Sequence, residues 1–121
     1  MAVKKTLVIG ASENPARYSN LAVKKLAGLN HPIVALGKKA GRIGNHIIET
    51  EKKNFDHIDT VTLYLNPLRQ KEYYDYILSL HPKRIIFNPG AENEELAELA
   101  QQNGIITQEA CTLVLLSTGQ Y

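Results

Sequence analysis

The sequence predicts one three-layer α/β domain built on a doubly wound parallel sheet. Short apolar, β-branched runs recur at Lys5–Gly10, Pro32–Gly37, Thr60–Leu65 and Arg84–Phe87, and apolar residues at helical spacing fall between most of them. Strands separated by helices of roughly 11 to 14 residues require crossovers, which make neighbouring strands parallel. A length of 121 residues with 44% apolar content supports a single core, so the whole chain, 1–121, is read as one Rossmann-like domain.

Lys5–Gly10 (Lys-Thr-Leu-Val-Ile-Gly) has the continuous apolar character of a strand buried on both faces. Asn14-Pro15 then offers a cap and a first-turn proline, with Tyr18, Leu21, Ala22, Leu26 and Leu29 as the apolar stripe of a helix. Pro32–Gly37 repeats the first strand. Lys38 to Asp59 carries little periodicity and reads mostly as loop, with a minor strand at Ile47-Ile48. After Thr60–Leu65, Asn66-Pro67 opens a helix with its stripe on Leu68, Tyr73, Ile77 and Leu80. Arg84–Phe87 closes on Asn88-Pro89-Gly90, and Glu92, Glu94 and Glu95 suit a helix start. Ile105–Thr107 supplies a last strand, and Cys111–Leu116 an apolar terminal element of either type.

A single cysteine, Cys111, excludes an internal disulfide framework and points to a cytoplasmic setting. The longest aliphatic run, Leu113 to Leu116, is far short of the ~20 residues of a membrane span, and Met1 to Gly10 is too short for a secretory leader. Neither a membrane nor an export route is expected. Fourteen basic against twelve acidic residues, a net charge of +2, give no general affinity for nucleic acid, so any basic site is local.

The strand ends carry the functional signal, because open α/β sheets bind ligands at the carboxyl ends of their strands. Here those ends read Gly10-Ala11-Ser12, Gly37-Lys38-Lys39, Leu65-Asn66-Pro67 and Asn88-Pro89-Gly90. The first turn, through Asn14 and Arg17-Tyr18-Ser19, has the leading glycine of a dinucleotide fingerprint without the second and third, which argues against ordinary NAD binding. Ser12 and Ser19 offer hydroxyls, and Arg17 a bidentate partner, to phosphate. Where NAD enzymes place an acid for the ribose hydroxyls, this chain has Lys38, Lys39 and Arg42. Three cations suit a ribose bearing an extra phosphate, as in coenzyme A or NADP.

These motifs resemble the small coenzyme A-binding domain proteins, relatives of the first domain of the succinyl-CoA synthetase α subunit. The resemblance spans nearly the whole chain and is strongest at Gly10–Ser19, Leu65-Asn66-Pro67, Asn88-Pro89-Gly90-Ala91 and Glu109-Ala110-Cys111. It implies that Gly10, Ser12, Arg17, Tyr18 and Ser19 line the pyrophosphate side, with Ala11 and Asn14 of the same turn also at the cofactor site. It also implies that Gly37, Lys38, Lys39 and Arg42 meet the adenosine end, and that Leu65, Asn66, Pro67, Asn88, Pro89 and Gly90 border the extended ligand. The chain departs from the family at Gly37-Lys38, where Asn-Pro is common, and at Thr112, where proline often follows the cysteine.

No nucleophile with an adjacent base and orienting acid can be assembled from these spacings. His31 and His81 precede strands, at the sheet end opposite the cleft, while His46 and His57 lie in the weakly patterned stretch without metal-ligand spacing. The tyrosines around Tyr64, Tyr73, Tyr74 and Tyr76 read as packing. Expected, then, is a non-catalytic or accessory module for coenzyme A or an acyl-CoA, with room for self-association or a protein partner. The alternative is an NADP-binding reductase or accessory subunit; a regulatory NAD-responsive domain would need a DNA-binding arm that the sequence lacks.

Overall fold

The computed structural model describes residues 2–121, so Met1 of the N-terminal stretch considered above lies outside it. Seven strands form one sheet: β1 (Thr6–Ile9), β2 (Ile33–Leu36), β3 (Gly41–Ile43), β4 (His46–Glu49), β5 (Thr60–Leu63), β6 (Arg84–Phe87) and β7 (Ile106–Glu109). Their spatial order is β3-β4-β2-β1-β5-β6-β7, and every pairing is parallel except β3 with β4. The helices are α1 (Tyr18–Gly28), α2 (Pro67–Gln70), α3 (Tyr74–Ser79), α4 (Glu94–Gln102) and α5 (Thr112–Ser117), with a 3-10 turn at Lys71–Tyr73 between α2 and α3.

Alternation within the central strands assigns the helices to two layers. Leu7 and Ile9 of β1 pack with Val61, Leu63, Ile85 and Phe87 against Ile77 of α3 and Leu96 of α4. Val8, between them in sequence, faces the other way with Ala35 and Ile86, against Val23 and Leu26 of α1 and Leu115 of α5. Burial on both faces explains why β1 and β5 read as unbroken apolar or threonine-rich runs. The chain moves from β1 to β2 on one side and resumes at β5 on the other, so the strand order reverses beside β1, where α/β folds open a crevice. No helix among the described residues is long and apolar enough to cross a membrane.

Several local expectations are sharpened or corrected. The stretch Lys38 to Asp59 is mostly loop and holds the minor strand at Ile47-Ile48 as β4; its partner β3 is the addition, paired with it in a hairpin that turns at Gly44 with φ +59°. Its strands are too short for periodicity, yet β4 extends the sheet beside β2 and buries Ile43 and Ile48. Asn14-Pro15 does not start the first helix, because α1 begins at Tyr18. Asn14 instead closes a turn, its Oδ1 accepting from the amide of Ala16 at 3.0 Å and its carbonyl from Arg17 at 3.0 Å. The inward face of α1 is Ser19, Asn20, Ala22, Val23 and Leu26, whereas Tyr18, Leu21 and Leu29 are exposed. Finally, Cys111–Leu116 resolves as the entry to α5, and the last strand runs two residues beyond Thr107.

At the amino end of the sheet, Tyr121 closes the far side of the domain. Its hydroxyl lies 2.6 Å from Thr6 Oγ1. Because Thr6 donates its own proton to the Lys4 carbonyl at 2.9 Å, the phenol is the donor. His31 packs edge-on against the Tyr121 ring, and its Nδ1 accepts the Lys4 amide at 2.9 Å, which fixes the proton of the neutral ring on Nε2. Burial first, and the Lys4 charge next, hold the pKa of His31 below the ordinary 6.5. The folded state therefore disfavours the imidazolium. Stability rises with pH from the lowered folded value to the unfolded value of 6.5 and is fully present above it. Urea midpoints should be lower at pH 5.5 than at pH 7.5, and His31→Gln should shrink that difference.

Candidate functional site

A cleft of about 750 Å³ opens at the carboxyl ends of β1, β2, β5 and β6. Close backbone approaches shape it. The chain leaving β1 runs between the ends of β2 and β5: the amides of Gly10 and Ala11 both donate to the Leu36 carbonyl, at 2.9 and 3.0 Å, and Tyr64 donates to Ile9. Gly10 sits at φ +93°, and a Cβ there would come 2.9 Å from the Tyr64 carbonyl oxygen. At Gly37 a Cβ would come 2.4 Å from the Ala11 carbonyl oxygen, so the β1 turn can cross β2 only over a glycine.

The turn from Ala11 to Arg17 is held from within and from below. Ser12 Oγ accepts the Asn14 amide at 3.1 Å, and the buried Asn20 donates its Nδ2 to the Ser12 carbonyl at 2.9 Å. It leads into α1 through Arg17, which makes no side-chain cap, and the first turn of the helix holds no acid. Two other strand-to-helix junctions differ, while Cys111 before α5, like Arg17, makes no side-chain cap. Asn66 caps α2 by accepting the Arg69 amide at 2.9 Å, and Asn93 caps α4 by accepting the Leu96 amide at 3.2 Å. The start of α1 therefore presents amides without a side-chain acceptor and a partial positive charge to the cleft.

On the opposite wall, Gln70 is fully buried and joins two loops. Its Nε2 donates to the carbonyls of Leu65 and Ala91, both at 2.7 Å, and its Oε1 accepts from Asn93 Nδ2 at 2.9 Å. Asn93 also donates to the Tyr74 hydroxyl at 2.8 Å. Beneath the cleft, Asn88 donates to Thr62 Oγ1 at 2.7 Å and to the Leu63 carbonyl at 2.9 Å, while its Oδ1 accepts the Thr112 amide at 2.8 Å.

Of the residues singled out from sequence, Gly10, Ala11, Ser12, Arg17, Tyr18 and Ser19 line the cleft on the α1 side. Lys38 and Lys39 line it at the β2 end, and Leu65, Asn66, Pro89 and Gly90 on the β5–β6 side. Five do not line it. Asn14 is spent on its turn, Gly37 is buried under Ala11, and Arg42 lies on β3. Pro67 is the first residue of α2, and Asn88 is a buried cross-link.

Glu13, Ala16, Tyr64, Arg69 and Ala91 complete the lining. Tyr64 lines the cleft, and its hydroxyl is buried without a hydrogen-bond partner. Burial pushes its pKa up to about 12, against a smaller opposing effect of the nearby Thr112 and Thr62 hydroxyls, so it is a neutral phenol. Arg69 follows the Asn66 cap by three residues, a spacing that could have flagged it.

The lining holds four cations, Arg17, Lys38, Lys39 and Arg69, against one carboxylate, Glu13. None of the four forms an ion pair among the described residues, where Lys53 with Glu49 is the one pair within 4.0 Å. The sequence model of the CoA binding domain family matches residues 4–117. The chain belongs to the CoA binding domain family. This CoA binding domain is similar to a crystal structure of an uncharacterised protein, with 47% identity, full coverage of both chains and a TM-score of 0.98. It shares its fold with a hypothetical protein from Pyrococcus horikoshii, at 22% identity over 96% of this chain and 83% of that one, TM-score 0.86. A Thermus thermophilus structure has the same fold, at 15% identity over 98% and 91% of the two chains, TM-score 0.84. No curated protein matches the sequence.

Proposed function

We propose that the chain binds coenzyme A or an acyl-CoA in this cleft and acts as a non-catalytic or accessory module. The observation that carries the reading is the start of α1, which lacks a side-chain cap, opening onto a cleft with four cations free of ion pairs. Helix amides and arginine together favour a diphosphate, which assigns that group to Ser12 and Arg17–Ser19. Lys38 and Lys39 take the ribose phosphate, and Leu65, Asn66, Pro89 and Gly90 border the pantetheine arm. The Arg42 side chain has no part in this assignment, because Arg42 lies on β3, outside the cleft lining.

The test is calorimetric titration with coenzyme A, dephospho-coenzyme A, NADP and NAD. Coenzyme A should bind tightest. Changing Lys38 and Lys39 together to alanine should weaken it about tenfold, the scale of one charge-assisted hydrogen bond, while hardly affecting dephospho-coenzyme A. Arg42→Ala should change affinity by less than about twofold, and added salt should weaken binding throughout. Tighter binding of NADP, or no binding at all, overturns the coenzyme assignment.

A further inference from the structure

Glu13 is the one acidic residue in the cleft lining. It belongs to the β1 turn, yet its carboxylate reaches past the end of β2 to β3. There Oε2 accepts the backbone N–H of Arg42 at 3.0 Å. Gly41 makes the room, since a Cβ at that position would lie 2.2 Å from Glu13 Cδ and 2.6 Å from Oε2. Lys38 and Lys39, in the loop between β2 and β3, line the cleft with Glu13. A carboxylate on a backbone amide beside two lysines uses donors that a phosphomonoester would use.

We propose that Glu13 is a built-in competitor for the ribose-phosphate subsite: its carboxylate occupies the Arg42 amide in the free protein and is displaced when a ligand's terminal phosphate arrives. The subsite then consists of Lys38, Lys39 and the Arg42 N–H, and Glu13 weakens affinity for phosphorylated ligands. Glu13 is exposed and therefore free to turn away. A plain tether would need only an acceptor at this point, whereas a competitor acts through its charge. This assignment rests on the coenzyme A reading above.

Two variants separate the roles. Glu13→Gln keeps an oxygen for the Arg42 amide and removes the charge; Glu13→Ala removes both. Both should bind coenzyme A about five- to tenfold more tightly than the wild type, as expected for relief of charge repulsion across a few ångströms of wet surface. The gain for dephospho-coenzyme A should be under about twofold, and added salt should erode the coenzyme A gain. In nitrogen-15 NMR spectra of the wild type, the Arg42 amide should shift with coenzyme A and not with dephospho-coenzyme A. An unchanged or weaker Glu13→Gln affinity, equal gains for both ligands, or a silent Arg42 amide overturns the proposal. If the wild type binds coenzyme A but no gain appears, Glu13 alone is misassigned; if coenzyme A binds neither wild type nor variants, the coenzyme reading fails and this proposal with it.

Discussion

Replacing Gln70 with leucine should lower unfolding stability by about 3 kcal/mol, measured by urea denaturation, although leucine keeps most of the volume and adds apolar surface. Gln70 is fully buried and satisfies three polar groups: the carbonyls of Leu65 and Ala91, and the Nδ2 of Asn93. Leucine satisfies none. A buried polar group that loses its partner costs about 1–3 kcal/mol, and relaxation toward water recovers part of the summed loss. Leu65 and Ala91 also line the cleft, so release of the two loops should weaken coenzyme A binding as well. Gln70→Glu should cost more than leucine at neutral pH, because the carboxylate fits the space, cannot donate to either carbonyl and adds a buried charge.

Gln70 also shows where sequence reading stops. The β5–α2 and β6–α4 junctions were legible because Asn66-Pro67 and the acidic run from Glu92 are local signals of strand ends and helix starts. That one glutamine on a four-residue helix binds both loops depends on contacts 5 and 21 residues away in sequence. The central strands were readable for the opposite reason: each residue of β1 and β5 is buried, so composition alone marks them. The β3–β4 hairpin buries only Ile43 and Ile48, and so two isoleucines had to carry a whole supersecondary unit.

Asn-Pro illustrates the same limit within the site. Its three copies look alike in sequence and do three things: Asn14 closes a turn, Asn66 caps a helix, and Asn88 cross-links the core. Local chemistry predicts an asparagine that accepts a nearby amide, and the first two obey. Asn88 departs because the carboxyl end of β6 is enclosed by β5 and the start of α5, which leaves no room for water. The basic pair after β2 was visible as charge, whereas the position of Arg42 outside the cleft lining depended on a strand too short to foresee.

Asn88→Asp should be the most damaging conservative change in the molecule, and its cost should depend on pH. Asn88 is 2% exposed, and its Nδ2 donates to Thr62 Oγ1 and to the Leu63 carbonyl. Aspartate keeps the shape but turns an acceptor toward that carbonyl, placing a charge with no cationic partner where water cannot reach it. The expected loss at pH 8 is about 4 kcal/mol by urea denaturation, the scale of an uncompensated buried charge. Burial should raise the new carboxyl's folded pKa above the unfolded ~3.9, so the folded state prefers the protonated form. Protonated, the side chain regains one donor, and the loss relative to wild type should fall to about 2 kcal/mol near pH 4. Stability relative to wild type is thus best at low pH and is lost as pH rises through the folded pKa. Asn88→Leu removes donor and acceptor without adding a charge, so its loss should stay flat across the same range. Because Asn88 precedes Pro89 and Gly90 in the cleft wall and holds the first amide of α5, coenzyme A affinity should track the pH dependence of the aspartate variant and not that of the leucine.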